Sequence, residues 1–406
     1  MRGMDGTNLQ AASSETARDI NRRLVLNLIR SRQPISRADA ARLSGLQRST
    51  VSLITEQLIR DRWVIEGSTG RLPRGRRPTF LRLNDRRAVI GIDIRPLQTS
   101  VALADVNGHF ISQEALATPS EPETAVEELT ARLRHLLNSH SKMMFEGIGI
   151  SLPGRFDFQS QRLVFAPNLR WPAFDLKAPI EQATGLEVEL ENAANACVLA
   201  EVWFGQTQGV RDLVVVTVSE GIGTGILMNG QLARGLNGMA GEFGHVPLDP
   251  AGPECTCGGR GCWEVFASNR AALRYYLESE SQAGGPSFQE LLVLAEQGDS
   301  RASKALDRMA HYLGRGMRMI VAGVAPEVIV VVGELTRCWH RFGPVIESEV
   351  SAQVLAGSAP RLVPAHDGAV ARLRGTVALV FQKHFGTPYS RCGISPGSDP
   401  SRARPC

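Results

Sequence analysis

The 406-residue sequence has no apolar run near the ~18 residues that a helix needs to span a bilayer. Its opening, MRGMDGTNLQ, is followed by polar residues and lacks the apolar core of a secretion signal. We therefore expect a cytoplasmic protein with no membrane partner. Hydrophobic residues make up 43% and charged residues 21% of the chain, as is usual for a globular protein. The length predicts two or three domains.

Lysine is absent from residues 1–87, although this segment carries 18 arginines against 8 acidic residues. Its net charge is +10, whereas the remainder, with 27 basic and 33 acidic residues, carries −6. A basic block at one end of an acidic body indicates a polyanionic partner for that end. A solvated basic surface would give the same composition.

The chain contains only seven cysteines, which is an odd number. Three of them cluster at Cys255, Cys257 and Cys262, and the others are scattered. Because no secretion signal is evident, we expect a reducing compartment, which excludes a disulfide framework.

Residues 1–17 are polar and predicted to be flexible, and residues 18–87 are predicted to form the first domain. Apolar spacing predicts a helix over residues 18–31 and a second one beginning after Ser36, which resembles a capping box with Asp39. A third helix follows the turn LSGL. In a helix-turn-helix, the later helix presents its first polar residues to base edges in the major groove. A plain three-helix bundle would have the same apolar spacing. The residues predicted to contact DNA here are Gln47, Arg48, Ser49, Thr50 and Ser52.

Two short predicted strands, residues 63–66 and 79–83, flank a loop rich in glycine, proline and arginine. This pattern predicts the wing of a winged helix-turn-helix, with Arg74, Arg76 and Arg77 at the DNA. The stretch GRRP resembles extended elements that insert arginine into narrow minor grooves, where negative potential is concentrated. The alternative is a flexible linker between domains.

From residue 88 to 385, predicted strands alternate with helices, which indicates an α/β body of two lobes with a cleft between them. The first two strands follow each other so closely that we expect a hairpin and therefore mixed sheets. Residues 386–406 are predicted to be a disordered tail. The predicted strands are 89–94, 100–106, 146–151, 213–218, 222–228 and 327–332, and the predicted helices are 121–141, 175–184, 193–204, 266–280, 287–297 and 301–323.

The most specific stretch is GMAGEFGHVPLDPAGPECTCGGRGCWEVFAS, residues 238–268. One imidazole and three thiolates, from His245, Cys255, Cys257 and Cys262, make a complete tetrahedral set for a structural zinc ion. A closed set leaves no position for an activated water. The alternative is three buried cysteines beside an unrelated histidine.

This stretch, together with the preceding GIGTGILMNGQLARGLN, resembles the signature of the ROK family, which groups bacterial sugar-responsive repressors with sugar kinases. The resemblance covers residues 88–385. The N-terminal helix-turn-helix resembles the repressor branch, which includes repressors of xylose and N-acetylglucosamine genes. The family implies an actin-like, hexokinase-like body of two α/β lobes around a sugar cleft, with zinc bound by the His-Cys₃ set.

The resemblance also implies the sugar contacts. PGR, ENAAN, GEFGH and CWE are the motifs that carry them. His245 would contact the sugar with one ring nitrogen and zinc with the other. Carboxylates and an amide suit vicinal hydroxyls, and such a site rejects analogues that lack them. The implied contacts are Gly154, Arg155, Asn192, Glu242, His245 and Glu264.

The sequence departs from the family's kinases where they bind nucleotide and abstract a proton. Arg95 and Pro96 replace glycines of the first phosphate loop, and Ala193 replaces the aspartate that acts as general base. Glu220 places a negative charge where a phosphate would approach, and Val332 replaces a glycine of a later loop. These departures predict that phosphotransfer is lost, so that the chain has no catalytic residues.

We therefore predict a homodimeric, sugar-responsive repressor, or a dimer of dimers, that binds a palindromic operator. Sugar and operator would oppose each other reciprocally in affinity. An active ATP-dependent sugar kinase with a DNA-binding domain is one alternative. A regulator controlled by a protein partner is another.

Overall fold

The computed structural model describes residues 14–69, 79–157, 160, 162–166, 168–207, 209–278, 285–352, 358–365, 368 and 370–386. The chain divides into two compact units. The first unit comprises the residues up to Asp85 and those from Lys383 onward, and the second comprises Arg86–Gln382.

The first unit contains three helices and a three-stranded antiparallel sheet of order β1-β3-β2. The side chain of Ser36 caps α2 by accepting a hydrogen bond from the backbone N–H of Asp39. Its elements are α1 (Ser14–Arg32), β1 (Ile35–Ser36), α2 (Arg37–Ser44), α3 (Arg48–Arg60), β2 (Val64–Thr69) and β3 (Thr79–Leu83).

The core of the first unit includes the fully buried Leu26, Ile29, Leu58 and Leu81, together with the ring of Trp63. All three predicted helices and both predicted strands are present. However, α1 begins at Ser14 rather than residue 18, so its first turn takes in residues that we expected to be flexible. The loop of residues 70–78, with its predicted wing, lies outside the described residues, as do residues 1–13 and 387–406.

The second unit begins with a lobe built on a five-stranded mixed sheet of order β10-β7-β4-β5-β6. The predicted hairpin is confirmed, because β4 and β5 pair in antiparallel fashion. The elements of this first lobe are β4 (Arg87–Ile94), β5 (Gln98–Asp105), β6 (Phe110–Ala117), α4 (Pro122–Ser139), β7 (Met144–Leu152), β8 (Arg155–Asp157), β9 (Arg162–Phe165), α5 (Lys177–Thr184) and β10 (Val188–Asn192).

The second lobe repeats the plan with a five-stranded sheet of order β13-β12-β11-β14-β15. In each sheet a three-stranded antiparallel meander is extended by two parallel strands. The remaining elements are α6 (Ala193–Phe204), β11 (Leu213–Val218), β12 (Ile222–Met228), β13 (Gln231–Ala233), α7 (Trp263–Ala267), α8 (Asn269–Leu277), α9 (Phe288–Glu296), α10 (Ser300–Val324), β14 (Val328–Gly333), α11 (Trp339–Ser351), β15 (Arg361–Pro364) and α12 (Ala371–Phe385).

Each lobe has its own hydrophobic core. The predicted helix over residues 266–280 is wrong as a single element, because Ser268 ends α7 and its side chain caps α8. Within the residues that the structure describes, no helix combines the length and apolar character needed to cross a bilayer. The cysteines of the described residues are all free thiols.

Candidate functional site

The four predicted metal ligands lie together in the second lobe. Their ligand atoms, from His245, Cys255, Cys257 and Cys262, all lie within 4.8 Å of one another. The Nδ1 atom of His245 is 3.6 Å from the sulfur of Cys255, and the sulfurs of Cys257 and Cys262 are 3.7 Å apart. One imidazole and three thiols are a donor set that suits a tetrahedral metal ion.

Backbone pairing shapes the loop that carries these ligands. Isolated antiparallel bridges join Pro247 to Cys262 and Glu254 to Arg260. Gly261 has a φ of 63°, and a Cβ at this position would overlap the carbonyl oxygen of Asp249, so the loop requires glycine there. Desolvation by burial raises the pKa of the Cys262 thiol to about 12. The Cys262 thiol therefore needs a nearby cation to become a thiolate at neutral pH.

The predicted sugar residues come from both lobes. At the end of β10, the side chain of Asn192 caps α6 through the N–H of Ala194, at 2.8 Å. Its Nδ2 donates to the carbonyl oxygen of Gly154, at 3.0 Å. The start of α6 lies against β12, because a Cβ on Gly223 would be 3.3 Å from the Ala194 side chain. The neighbouring Arg155 is exposed.

The second lobe supplies the acidic groups. Glu264 is buried, and its Oε2 accepts the N–H of Ile222 at 3.1 Å. The Nε2 of His245 lies 3.9 Å from a carboxylate oxygen of Glu242, while its Nδ1 faces Cys255. One ring nitrogen thus faces the cysteines and the other faces a predicted sugar ligand. We call Gly154, Asn192, Glu242, His245 and Glu264 the interlobe site.

An ion pair that the sequence did not predict joins the two lobes beside this site. The carboxylate of Glu191 is fully buried and accepts hydrogen bonds from Arg234 at 2.7 and 3.1 Å. Its other oxygen accepts the N–H of Asn192 and the Nδ2 of Asn195, both at 3.0 Å. Glu191 therefore fixes Asn192 in position. Since 43 residues separate the pair, spacing alone gives no signal for it.

The carboxyl end of β4 carries a second buried charge. Asp93 is 1% exposed and accepts hydrogen bonds from Arg95 Nε at 2.7 Å and from Ser151 Oγ at 2.8 Å. Burial alone would lower the pKa of Arg95, but the negative charges of Asp93 and Glu220 raise it above its usual value. Arg95 thus serves as a resident cation at this end of the first sheet.

The remaining departures lie at the ends of the neighbouring strands. Glu220 and Pro96 lie in the turns that follow β11 and β4, and Val332 is buried in β14. Ala193 opens α6 and is also buried. Arg372, itself buried, donates to the Ser219 hydroxyl at 3.0 Å. The residues that depart from the family's kinases therefore lie at or beside the carboxyl ends of strands in both sheets.

The predicted DNA contacts of the first unit begin α3. Gln47, Arg48 and Ser49 are exposed, whereas Thr50 and Ser52 are half-buried. Leu53, on the same helix, is 68% exposed and was not predicted as part of this surface. Its position off the apolar stripe was a signal that it is not a core residue. Arg74, Arg76 and Arg77 lie outside the described residues.

Similarity to known proteins extends along most of the chain. The model of the ROK family matches residues 89–383. A xylose repressor of Bacillus spizizenii is 33% identical over 383 residues, which cover 93% of this chain and 98% of that protein. The DNA-binding transcriptional dual regulator NagC of Escherichia coli is 28% identical, with 86% of this chain and 89% of that protein covered.

Solved structures agree with this assignment. A ROK family transcriptional regulator, a homologue of the E. coli MLC protein, matches with a TM-score of 0.78 and 25% identity, covering 91% of this chain and 97% of its own. A ROK family glucokinase from Streptomyces griseus, solved with glucose and AMPPNP, matches with a TM-score of 0.66 and 29% identity, covering 73% and 99%. The chain belongs to the ROK family.

Proposed function

We propose that the chain is a cytoplasmic, sugar-responsive transcriptional repressor whose kinase-like body has lost phosphotransfer. The observation that carries the proposal is the contrast within the second unit. Polar residues suited to sugar hydroxyls, such as Asn192 and Glu264, are present in both lobes, while Arg95 of the first phosphate loop pairs with Asp93. Relatives named as repressors of xylose and N-acetylglucosamine genes support a pentose, a hexose or an amino sugar as the effector.

The first unit would bind the operator as a winged helix-turn-helix. Exposed polar residues at the start of α3 suit base edges in the major groove, and Leu53 suits the methyl group of thymine. The arginines of residues 71–77 would reach the minor groove. A homodimer would place two such heads on a palindromic operator.

A zinc ion bound by His245 and the three cysteines would have a structural role. It would leave no open coordination position, and it would fix the His245 ring so that Nε2 faces the sugar. A hydroxyl of the sugar could then be held between His245 and Glu242. The remaining contacts would come from Asn192, Glu264 and the Gly154 turn, with Arg155 at the rim.

The loss of phosphotransfer rests on Ala193, which cannot accept a proton from a sugar hydroxyl. It also rests on Arg95, whose guanidinium lies beside Asp93 and in the field of Glu220. Losing a general base typically slows a reaction by about 10²–10⁴-fold. A coupled assay of ADP release with ATP and each sugar tests this directly. Sugar-dependent turnover would favour the kinase alternative.

Fluorescence anisotropy of the full-length protein on its own upstream DNA tests the whole proposal. At about 0.15 M ionic strength, we expect one sugar from a panel of pentoses, hexoses and amino sugars to weaken tight binding. Titrating that sugar into free and DNA-bound protein must give reciprocal coupling. Equal sugar affinity in both states would contradict the mechanism, and tight DNA binding unaffected by any sugar would favour a protein partner.

Two variants separate the halves of the mechanism. R48A should weaken DNA binding and leave sugar affinity unchanged, because Arg48 lies in the first unit on the exposed start of α3. E264Q should abolish the sugar response and leave DNA binding intact, because Glu264 lies in the interlobe site. If either variant loses both DNA binding and the sugar response, the result indicates misfolding rather than these roles.

A further inference from the structure

Asn168 lies on a short turn that the first lobe extends toward the second. Reciprocal backbone hydrogen bonds of 3.2 Å between Ala166 and Trp171 close this turn, and the N–H of Leu169 donates to the carbonyl of Ala166 at 3.1 Å. Trp171 is fully buried in the core of the first lobe. The turn is therefore anchored at its base, which limits the positions that Asn168 can take.

The side chains of Asn168 and Glu264 both lie beside Gly221. A Cβ built on Gly221 would overlap the Oε2 atom of Glu264 and would lie 3.5 Å from the Nδ2 atom of Asn168. Gly221 therefore leaves room for both polar side chains, one from each lobe. Glu264 belongs to the interlobe site, so Asn168 borders this site from the opposite lobe.

The amide of Asn168 is incompletely paired. Its Oδ1 atom is buried away from solvent and has no hydrogen-bond partner among the residues that the structure describes. Most buried polar atoms have a partner, so an orphan acceptor at a binding site indicates a donor that a ligand would supply. Asn192 differs, because both ends of its amide already contact the backbone of the protein.

We propose that Asn168 is a specificity-determining sugar contact whose Oδ1 accepts a hydrogen bond from one hydroxyl of the effector. This inference rests on the proposed sugar-sensing function and adds a residue to the site. Asn168 and Glu264 would bind neighbouring hydroxyls from opposite lobes. The preferred effector is then a sugar with free vicinal hydroxyls. Replacing the sugar hydroxyl that Asn168 binds with hydrogen removes the donor that the Oδ1 atom needs.

Calorimetry with defined sugars tests this contact. Wild-type protein is titrated with D-xylose, D-glucose and N-acetyl-D-glucosamine, and then with each monodeoxy analogue of the sugar that binds. We expect N168A to weaken binding of the parent sugar by roughly 10-fold, the scale of one hydrogen bond. For one deoxy analogue, the one lacking the hydroxyl that Asn168 binds, we expect N168A and the wild type to have the same affinity. N138A, at an exposed asparagine of α4, is the matched control and should bind every sugar like the wild type.

The pattern across analogues separates a direct contact from a structural role. If N168A weakens the parent sugar and all analogues by the same factor, or weakens none, the contact is refuted. If the alanine variant does not fold, N168S replaces it, with the same selective loss expected because its shorter side chain cannot reach the sugar. Wild-type protein that binds no sugar of the panel would instead refute the sugar-sensing function itself.

Discussion

The two sheets of the second unit share one strand plan, but the turns that open them differ. In the first lobe, the turn between β4 and β5 contains Arg95, whose guanidinium pairs with the buried Asp93. In the second lobe, the turn between β11 and β12 contains Gly221, which leaves space beside the buried Glu264. The first turn thus contains an internal ion pair, whereas the second leaves room for a ligand.

The difference shows how one fold can lose one ligand without losing another. A resident guanidinium compensates the charge of Asp93, and its raised pKa keeps that positive charge at any physiological pH. Within the described residues, no ion pair joins Glu264 to a cation, and its carboxylate accepts the N–H of Ile222. Features suited to a phosphate and features suited to a sugar lie in separate turns, so they can change independently.

Loss of a metal ligand in the second lobe should have the largest effect. C262S removes a buried thiol from the His-Cys₃ set, so we expect zinc content to fall from about one ion per chain to near zero. The unfolding temperature should fall with it. C338S is the control, since Cys338 donates to Glu296 instead and lies outside the set. Full zinc content in purified C262S would contradict the assignment of this ligand.

The pair that joins the lobes should come next. E191A removes the carboxylate that binds Arg234 and also accepts from Asn192 and Asn195. Because Glu191 is fully buried, we expect a loss of about 3–5 kcal/mol in the free energy of unfolding, measured by urea denaturation. E114A breaks a more exposed pair with Arg132 and should cost at most about 1 kcal/mol. Equal losses would show that burial of Glu191 has no energetic consequence.

Removing the resident cation of the first turn should have a smaller effect. R95A leaves the carboxylate of Asp93 buried with the hydrogen bond of Ser151, so we expect a loss of about 1–3 kcal/mol. The cost is below that of E191A because Asp93 keeps the hydrogen bond of Ser151, whereas E191A also removes the acceptor of Asn192 and Asn195. R132A is the matched control at a surface pair. A stability equal to that of the wild type would mean that Asp93 needs no cation.

Much of the fold could be predicted because the buried strands and long helices have strong patterns. The strands β11 and β14 are continuous apolar runs, and α10 has a sustained apolar face. By contrast, β6 lies at the edge of its sheet and has no fully buried side chain, so its sequence lacks a clear apolar face. Gly375 lies inside α12, where a Cβ would overlap the backbone of Ala196. Only the tertiary packing explains a glycine in that helix.

The candidate site was predictable only where its residues are close in sequence. The metal ligands lie within 18 residues, from His245 to Cys262, so spacing and residue type sufficed. Glu191 and Arg234 are 43 residues apart, and no local pattern relates them. Arg95 was interpreted as a damaged loop, although its partner Asp93 is only two residues away. Side-chain direction in a turn depends on the folded backbone, and the sequence does not provide it.

The smallest effect expected is the energetic coupling between Arg95 and Ser151, which donate to opposite oxygens of the Asp93 carboxylate. S151A alone should cost about 1–2 kcal/mol, because one hydrogen bond to a buried charge is lost while the cation stays. With R95A already in place, the same change should cost more, since no other side-chain donor to Asp93 then remains among the described residues. A double-mutant cycle in urea should give a coupling of about 0.5–3 kcal/mol. Strict additivity would mean that the two donors act on Asp93 independently, and the first turn would then be a set of separate contacts rather than one buried ion-pair site.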